Sequence, residues 1–256
     1  MELNEDNYFS LEANKEYWSV SQFKSFNECS ARAVAELDGE YVRPKSEALL
    51  LGGYVDAYFT GSKDLYEQEN PEILNSRTGA LKAPYQKAKK AVERAESDPM
   101  FMMYMAGEKQ KILTGKLFGE DWKVKIDVLH KDRIVDLKYM RDTKSMFVDG
   151  ERKTFVDAWG YDLQGFVYQQ IVEAATGKHL PFYLAVVTKE EHPDIDIIHI
   201  PDWKLNSAGE LIRHYLPEYA DIKANTTGVR CEHCDWCRDT KIITEITEYE
   251  ELLERI

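Results

Sequence analysis

The sequence predicts a layered α+β or α/β fold. Three observations carry that expectation. The segments "WKVKIDVLH" and "RIVDLKYM" alternate apolar and polar residues and flank Lys131-Asp132, which is the pattern of a β-hairpin. A further strand-like segment precedes them, and a long helical stretch followed by two more strands comes after. Capped helical segments stand on either side, giving the order α…βββ-α-ββ-α.

Along the chain, "SVSQFKSFNECSARAVAELDG" (19–39) predicts a helix, with Ser19 or Ser21 able to cap its start and Gly39 its end. "KSEALLLGGYVDAYFTGS" (45–62) predicts a second, from an N-cap at Ser46 to Gly61. Its internal Gly52-Gly53 pair costs about 1 kcal/mol per glycine relative to alanine, which implies close backbone packing there. Pro84 opens a third helix to about Ala95, and Asp98-Pro99 a short fourth that stops near Gly107. Strands follow over "KQKILTGKLF", "WKVKIDVLH" and "RIVDLKYM", with turns at Gly119-Glu120-Asp121 and Lys131-Asp132. A helical stretch over 154–177 ends at Gly177. Strands at 181–190 and 194–201, a helix at about 207–222, a cysteine segment and an acidic helical tail complete the chain.

The 256 residues suffice for one large domain, 1–256, with a Cys-rich segment at 228–240 inside it. At 43% hydrophobic and 12% aromatic, the composition is that of a globular protein. No apolar run is long enough for a membrane helix, and the acidic start "MELNEDNYFSLEANKEYW" is unlike a signal peptide, so a cytoplasmic protein without membrane contact is expected. Net charge is −13, from 33 basic and 46 acidic residues. That balance argues against a non-specific nucleic-acid binder but leaves room for local basic patches and for a cation site. One such patch is Lys82, Lys87, Lys89, Lys90 and Arg94, which a solvated helix face explains equally well.

If Lys131-Asp132 is a two-residue turn, facing residues sum to 263: Val128 meets Val135, Ile126 meets Leu137 and Val124 meets Tyr139 on one apolar face. The other face then pairs Asp127 with Asp136 and Lys125 with Lys138. Two aspartates directly opposite stand about 4.5–5.5 Å apart at Cβ and destabilise the sheet unless something neutralises them. A divalent cation with oxygen ligands, Mg²⁺ or Mn²⁺, does so. Lys138 shares that face and can orient or deprotonate a water or stabilise a pentavalent phosphate, the equipment of metal-assisted phosphodiester hydrolysis. The alternative is a solvated sheet face that binds nothing.

These residues resemble the PD-(D/E)xK nuclease superfamily, in the branch holding RecB-type nuclease domains and RecE-type phage exonucleases (exonuclease VIII). The likeness runs in order over about residues 19 to 240. "IDVL" around Asp127 matches the first acidic motif, with Ile126 where many members have proline, and "VDLK" matches (D/E)xK with Asp136 and Lys138. "QGFVY" matches the Q-x-x-x-Y motif, and Gln164 and Tyr168, four apart, share a helix face. "GGYVD" stands where the branch has G-x-x-x-H, with Asp56 in place of the histidine ligand. The resemblance implies a restriction-endonuclease-like core, a central mixed sheet flanked by helices. It also implies a Mg²⁺-dependent exonuclease of double-stranded DNA ends, 5′-to-3′, in phage or prophage recombination. Its implied ligands are Asp56, Asp127, Asp136 and the Leu137 carbonyl, with Glu108 a weaker candidate. Its implied partners are DNA, a RecT-type annealing protein and further copies of the chain in a ring. Arg141, Lys144, Arg152 and Lys153 join the helix patch as candidate phosphate contacts. A catalytically silent DNA-end-binding or assembly protein on the same fold is the alternative. An iron–sulfur redox protein is a third reading, weakened because no nicotinamide or flavin phosphate loop accompanies the cysteines.

"RCEHCDWCRD" spaces Cys231, Cys234 and Cys237 to wrap one centre, as in ferredoxin runs. Cys29 is the only other cysteine. AddB-type and some CRISPR-associated relatives hold a 4Fe–4S cluster by one early and three late cysteines, so the resemblance implies a cluster stapling the C-terminal segment to the first helix. Zinc, with His233 inside the motif as a further donor, is the rival, and uncoordinated thiols are a third possibility.

Overall fold

The computed structural model describes residues 1–148, 150–244, 246 and 249. The expected acidic tail falls largely outside the described residues. Helices α1 (Leu11–Glu16), α2 (Val20–Glu28), α3 (Ser30–Asp38), α4 (Glu47–Thr60), α5 (Lys63–Glu69), α6 (Ala83–Glu96) and α7 (Pro99–Tyr104) come first. Strands β1 (Glu108–Leu117), β2 (Glu120–Leu129) and β3 (Ile134–Met140) follow, then a small hairpin of β4 (Met146–Val148) and β5 (Glu151–Lys153). Helices α8 (Phe155–Trp159) and α9 (Tyr161–Thr176) lead to β6 (Phe182–Thr188) and β7 (Ile195–Ile200), and α10 (Asp202–Asn225) and α11 (Asp235–Asp239) close the order.

The main sheet runs β1-β2-β3-β6-β7, with β3 and β6 parallel and the other neighbours antiparallel. A parallel neighbour needs a crossover, and α8 and α9 supply it. One face packs residues of α2, α3, α9 and α10, including Phe23, Phe26, Val167 and Ile212. The other packs α4, α6 and α7, including Tyr54, Tyr85, Val92 and Phe101. The expected mixed sheet between helical layers is therefore present.

Local chemistry accounts for most ends. Ser46 Oγ accepts the Leu49 amide at the start of α4, and Gly61 ends it at φ 77. Asp98 caps α7 through the Phe101 amide. The β1–β2 turn is Phe118-Gly119, both at positive φ as a type I′ turn requires, rather than the expected Gly119-Glu120-Asp121. The expected helix over 19–39 is two helices, because Cys29 adopts extended backbone between α2 and α3. Likewise Gly160 at φ 59 splits 154–177 into α8 and α9. The close packing expected at Gly52-Gly53 holds at Gly53, where a Cβ would stand 2.7 Å from the Tyr66 hydroxyl, while Gly52 has open space. Among the described residues, no helix is long and apolar enough to cross a membrane.

Glycines let the crossover helix α9 lie close against the sheet at Gly165 and let α10 lie close against α9 at Gly209. A Cβ on Gly165 would meet the Phe182 ring at 2.5 Å, and one on Gly209 the Phe166 ring at 2.4 Å. Gly165→Ala and Gly209→Ala should each destabilise by about 1–3 kcal/mol through overpacking. Gly52→Ala should stabilise by about 0.4–1 kcal/mol, because the space is empty and the unfolded chain loses freedom. Denaturant midpoints check all three signs.

Candidate active site

The site arises where strand pairing fails on both sides of Asp127. Between β1 and β2, pairs sum to 237 from Glu108↔Leu129 to Leu117↔Glu120, but Gln110 and Asp127 are skipped. Gln110 sits at φ 52, a left-handed conformation costly for a side chain with a Cβ. Between β2 and β3 the expected register holds for Val128↔Val135 and Leu129↔Ile134, and the ladder then stops. The expected single apolar face is corrected accordingly. Val124 and Ile126 pack in the core under α9, whereas Val128, Val135 and Leu137 pack in the core under α4. Period-two alternation cannot carry a strand through such a break.

The Asp127 carboxylate fills the break. Its Oδ2 accepts the Leu137 amide at 2.8 Å, a bond that a strand partner would otherwise make. In a strand the amide and carbonyl of one residue point to the same side, so the Leu137 carbonyl faces the gap as well. From α9, Gln164 Nε2 donates to Asp136 Oδ1 at 2.7 Å and to the Tyr168 hydroxyl at 2.9 Å, and Gln164 Oε1 accepts Lys138 Nζ at 3.1 Å. Tyr168 in turn donates to the Lys125 carbonyl on β2 at 2.9 Å. The amide's donors and acceptor are all used, which fixes its orientation. Lys138 Nζ stands 2.5 Å from Asp136 Oδ2 and 4.7 Å from the Tyr161 ring centre.

Asp56 on α4 completes the acidic group, its Oδ1 accepting Gln110 Nε2 at 2.9 Å. Burial, together with the neighbouring Asp136, pushes its pKa up to about 6. Asp127 is raised well above the usual carboxylate range, by burial first and then by Asp136 and Asp56. Burial works against the Lys138 charge, but Asp136 and Asp127 outweigh it and hold the ammonium above its ordinary range.

A divalent cation fits this donor set on two counts. Asp136 is 1% exposed, and its buried Oδ2 has no hydrogen-bond partner beyond the Lys138 ion pair. Asp136 also raises the pKa of both Asp56 and Asp127, a cost that a cation removes. They do not close on one point as tightly as the cysteines do. Among the described residues, the only group of three or more candidate ligands with ligand atoms within 4.8 Å of one another is Cys29, Cys231, Cys234 and Cys237.

Asp56, Asp127, Gln164 and Tyr168 line a cleft of about 810 Å³. Asp136 and Lys138 lie behind it, reached through Gln164. Lys24, Lys45, Lys123 and Lys125 also line it, none of which the motifs single out. Lys24 Nζ donates to the Trp159 carbonyl at 2.7 Å, and burial and Lys138 lower its pKa to about 8. Lys123, 2% exposed, donates to Asn14 and to the Tyr8 carbonyl. No local pattern marks these lysines, though Gln110 follows from the 237 register once Asp127 is known.

Other candidates lie elsewhere. Lys82, Lys87, Lys89, Lys90 and Arg94 are exposed at or on α6 and line no part of the cleft. Lys87 and Lys89 pair with Glu191 and Glu93. Arg141 pairs with Asp142, Lys144 with Glu190, and Arg152 donates to Ser145. Glu108 opens β1, pairs with Lys111 at 2.8 Å and faces a separate pocket beside His130. The expected four-cysteine group does assemble, while His233 turns Nδ1 to the Cys231 carbonyl at 2.6 Å and is not a ligand in it.

A family described as "PDDEXK-like domain of unknown function" matches residues 19–240. A crystal structure from Eubacterium rectale, described as "Putative exonuclease", is 42% identical, with a TM-score of 0.96 over 100% of both chains. Among curated proteins nothing matches.

The raised Asp56 pKa gives a stability signature in chelator. A carboxyl raised from 3.8 to about 6 adds stability that is complete below 3.8 and lost as pH rises through 6. Asp56→Asn should therefore raise Tm at pH 7, with the gain vanishing near pH 4, and Mn²⁺ should reverse the order at pH 7. Thermal melts at both pH values, with and without the metal, check this.

Proposed function

Since the chain belongs to the PDDEXK-like domain family, we propose that it is a metal-dependent deoxyribonuclease, an exonuclease working from double-stranded DNA ends. The observation that carries this reading is the single hydrogen-bonded unit of Asp136, Lys138, Gln164 and Tyr168 beside Asp127. The likeness to a protein described as an exonuclease supports it.

Asp56, Asp127, Asp136 and the Leu137 carbonyl would hold Mg²⁺ or Mn²⁺, which supplies charge stabilisation at phosphorus and a nucleophile at neutral pH. In the metal-free site Asp136 and Asp127 hold Lys138 protonated, and its ammonium is placed to orient water and to neutralise charge on the phosphate. Gln164 keeps that ammonium aimed, and Tyr168 ties Gln164 to β2. Lys24, Lys45 and Lys125 offer charge to the phosphates of the strand entering the cleft. Phe9 at the rim, 74% exposed, offers a stacking face to a base. The exposed cations of α6 and Arg141, Lys144, Arg152 and Lys153 would touch flanking duplex.

The reading extends to digestion from the 5′ side, in the cytoplasm, in phage or prophage recombination beside a RecT-type annealing protein, with several copies forming a ring. In it the four cysteines hold a structural centre, iron–sulfur or zinc, outside the chemistry. A catalytically silent binder is disfavoured because Asp127, Asp136 and Lys138 are all present, and Gln164 bonds two of them.

Linear duplex labelled at each end reads activity and polarity together. Wild type with Mg²⁺ should release mononucleotides from the 5′ ends. Asp136→Asn should fall to background, and Lys138→Met should fall by about 10²–10³-fold. Full activity in either variant contradicts the assignment.

A further inference from the structure

The four thiols lie well outside the cleft and form a site of defined size. Cys29 Sγ is 3.6 Å from Cys237 Sγ, Cys231 Sγ is 3.9 Å from Cys237 Sγ, and all four sulfurs lie within 4.8 Å of one another. Two of the six sulfur–sulfur edges, 3.6 and 3.9 Å, are those of a regular tetrahedron whose centre lies about 2.2 to 2.4 Å from each corner. That brackets the zinc–thiolate bond of about 2.3 Å. A 4Fe–4S cluster sets each thiolate on a different iron around a core of eight atoms. Four sulfurs this close leave space for one ion and none for such a core.

The surroundings resist opening the site. Residues 228–230 are pinned to the start of α3, with the Ala31 amide donating to the Val229 carbonyl at 3.1 Å and the Val229 amide to Ser30 Oγ at 2.9 Å. At Gly228 a Cβ would stand 2.4 Å from Ala31 Cα and N, so the two backbones are already in contact. Cys237 is fully buried and Cys29 nearly so. The Cys234 amide donates to Cys231 Sγ at 3.3 Å, the kind of bond that disperses thiolate charge. Arg230, over the Trp236 ring at 5.1 Å and bonded to the Cys237 carbonyl, brings positive charge alongside.

We propose that Cys29, Cys231, Cys234 and Cys237 bind a single tetrahedral Zn²⁺, and that this ion rather than an iron–sulfur cluster joins the C-terminal segment to the α2–α3 junction. The ion ties together residues about 200 positions apart, at the end of the helix that carries Lys24 into the cleft. The role is structural, and it stands whether or not the cleft cuts DNA.

The test is metal and sulfide analysis of protein purified anaerobically from cells supplied with both iron and zinc. About one zinc per chain, no acid-labile sulfide and no brown colour are expected for a Cys₄ site. Iron with acid-labile sulfide overturns the proposal, as does protein free of metal. Cys29→Ser should lose the zinc, and a Cys29→Ser protein that keeps it stoichiometrically also overturns the proposal. Because that variant can fail to fold, Co²⁺ exchanged into the wild type provides a second reading. Intense thiolate-to-cobalt charge transfer with tetrahedral visible bands is expected, and octahedral pale spectra overturn the proposal.

Discussion

Two backbone pairs hold β2 to β3, and the site exists because a third does not form. At Val128↔Val135 the strands are a normal antiparallel pair. One residue further, the Asp127 side chain takes the Leu137 amide that a neighbouring carbonyl would have taken. That substitution opens a gap in the middle of a sheet, places two aspartates at its lip and leaves a main-chain carbonyl turned towards it. An interrupted ladder inside a core is tolerable only if every freed polar group finds another partner.

Helix α9 supplies those partners. Through Gln164 and Tyr168 it reaches Asp136 and Lys138 on β3 and the Lys125 carbonyl on β2, so one turn of helix spans the gap in the sheet. The glycine at 165 lets that helix lie against Phe182 closely enough to do so. What the helix leaves unanswered is charge. Burial and the neighbouring Asp136 raise Asp56 and Asp127, and Asp136 keeps an oxygen with only an ammonium beside it. Buried like charges of this kind mark functional sites more often than structural ones. The cost is carried by a protein whose helical layers are otherwise well packed.

How much of this was legible in the sequence depends on the range of the interaction. The Val128↔Val135 register followed from a two-residue turn, and the shared face of Gln164 and Tyr168 from helical spacing, both local rules. The four cysteines were legible because few residue types chelate. The loss of alternation at Asp127 was not, since it depends on Gln110 adopting positive φ on a different strand. Nor was the break at Cys29, where an extended residue between two helices brings its thiol to 3.6 Å from that of Cys237, 208 positions later. The lysine patch of α6 lines no part of the cleft, because charge density along a helix says nothing about which way that helix faces, whereas Lys24 and Lys45 reach it from segments with no basic run.

The central claim is that the gap between β2 and β3 is a hard-cation site. Crystals soaked in Mn²⁺ and measured for anomalous scattering address it directly. The account predicts an anomalous peak bounded by Asp127, Asp136, Asp56 and the Leu137 carbonyl, absent from crystals of Asp127→Ala. Manganese bound only elsewhere, or a gap that stays free of scattering at saturating Mn²⁺, would contradict it.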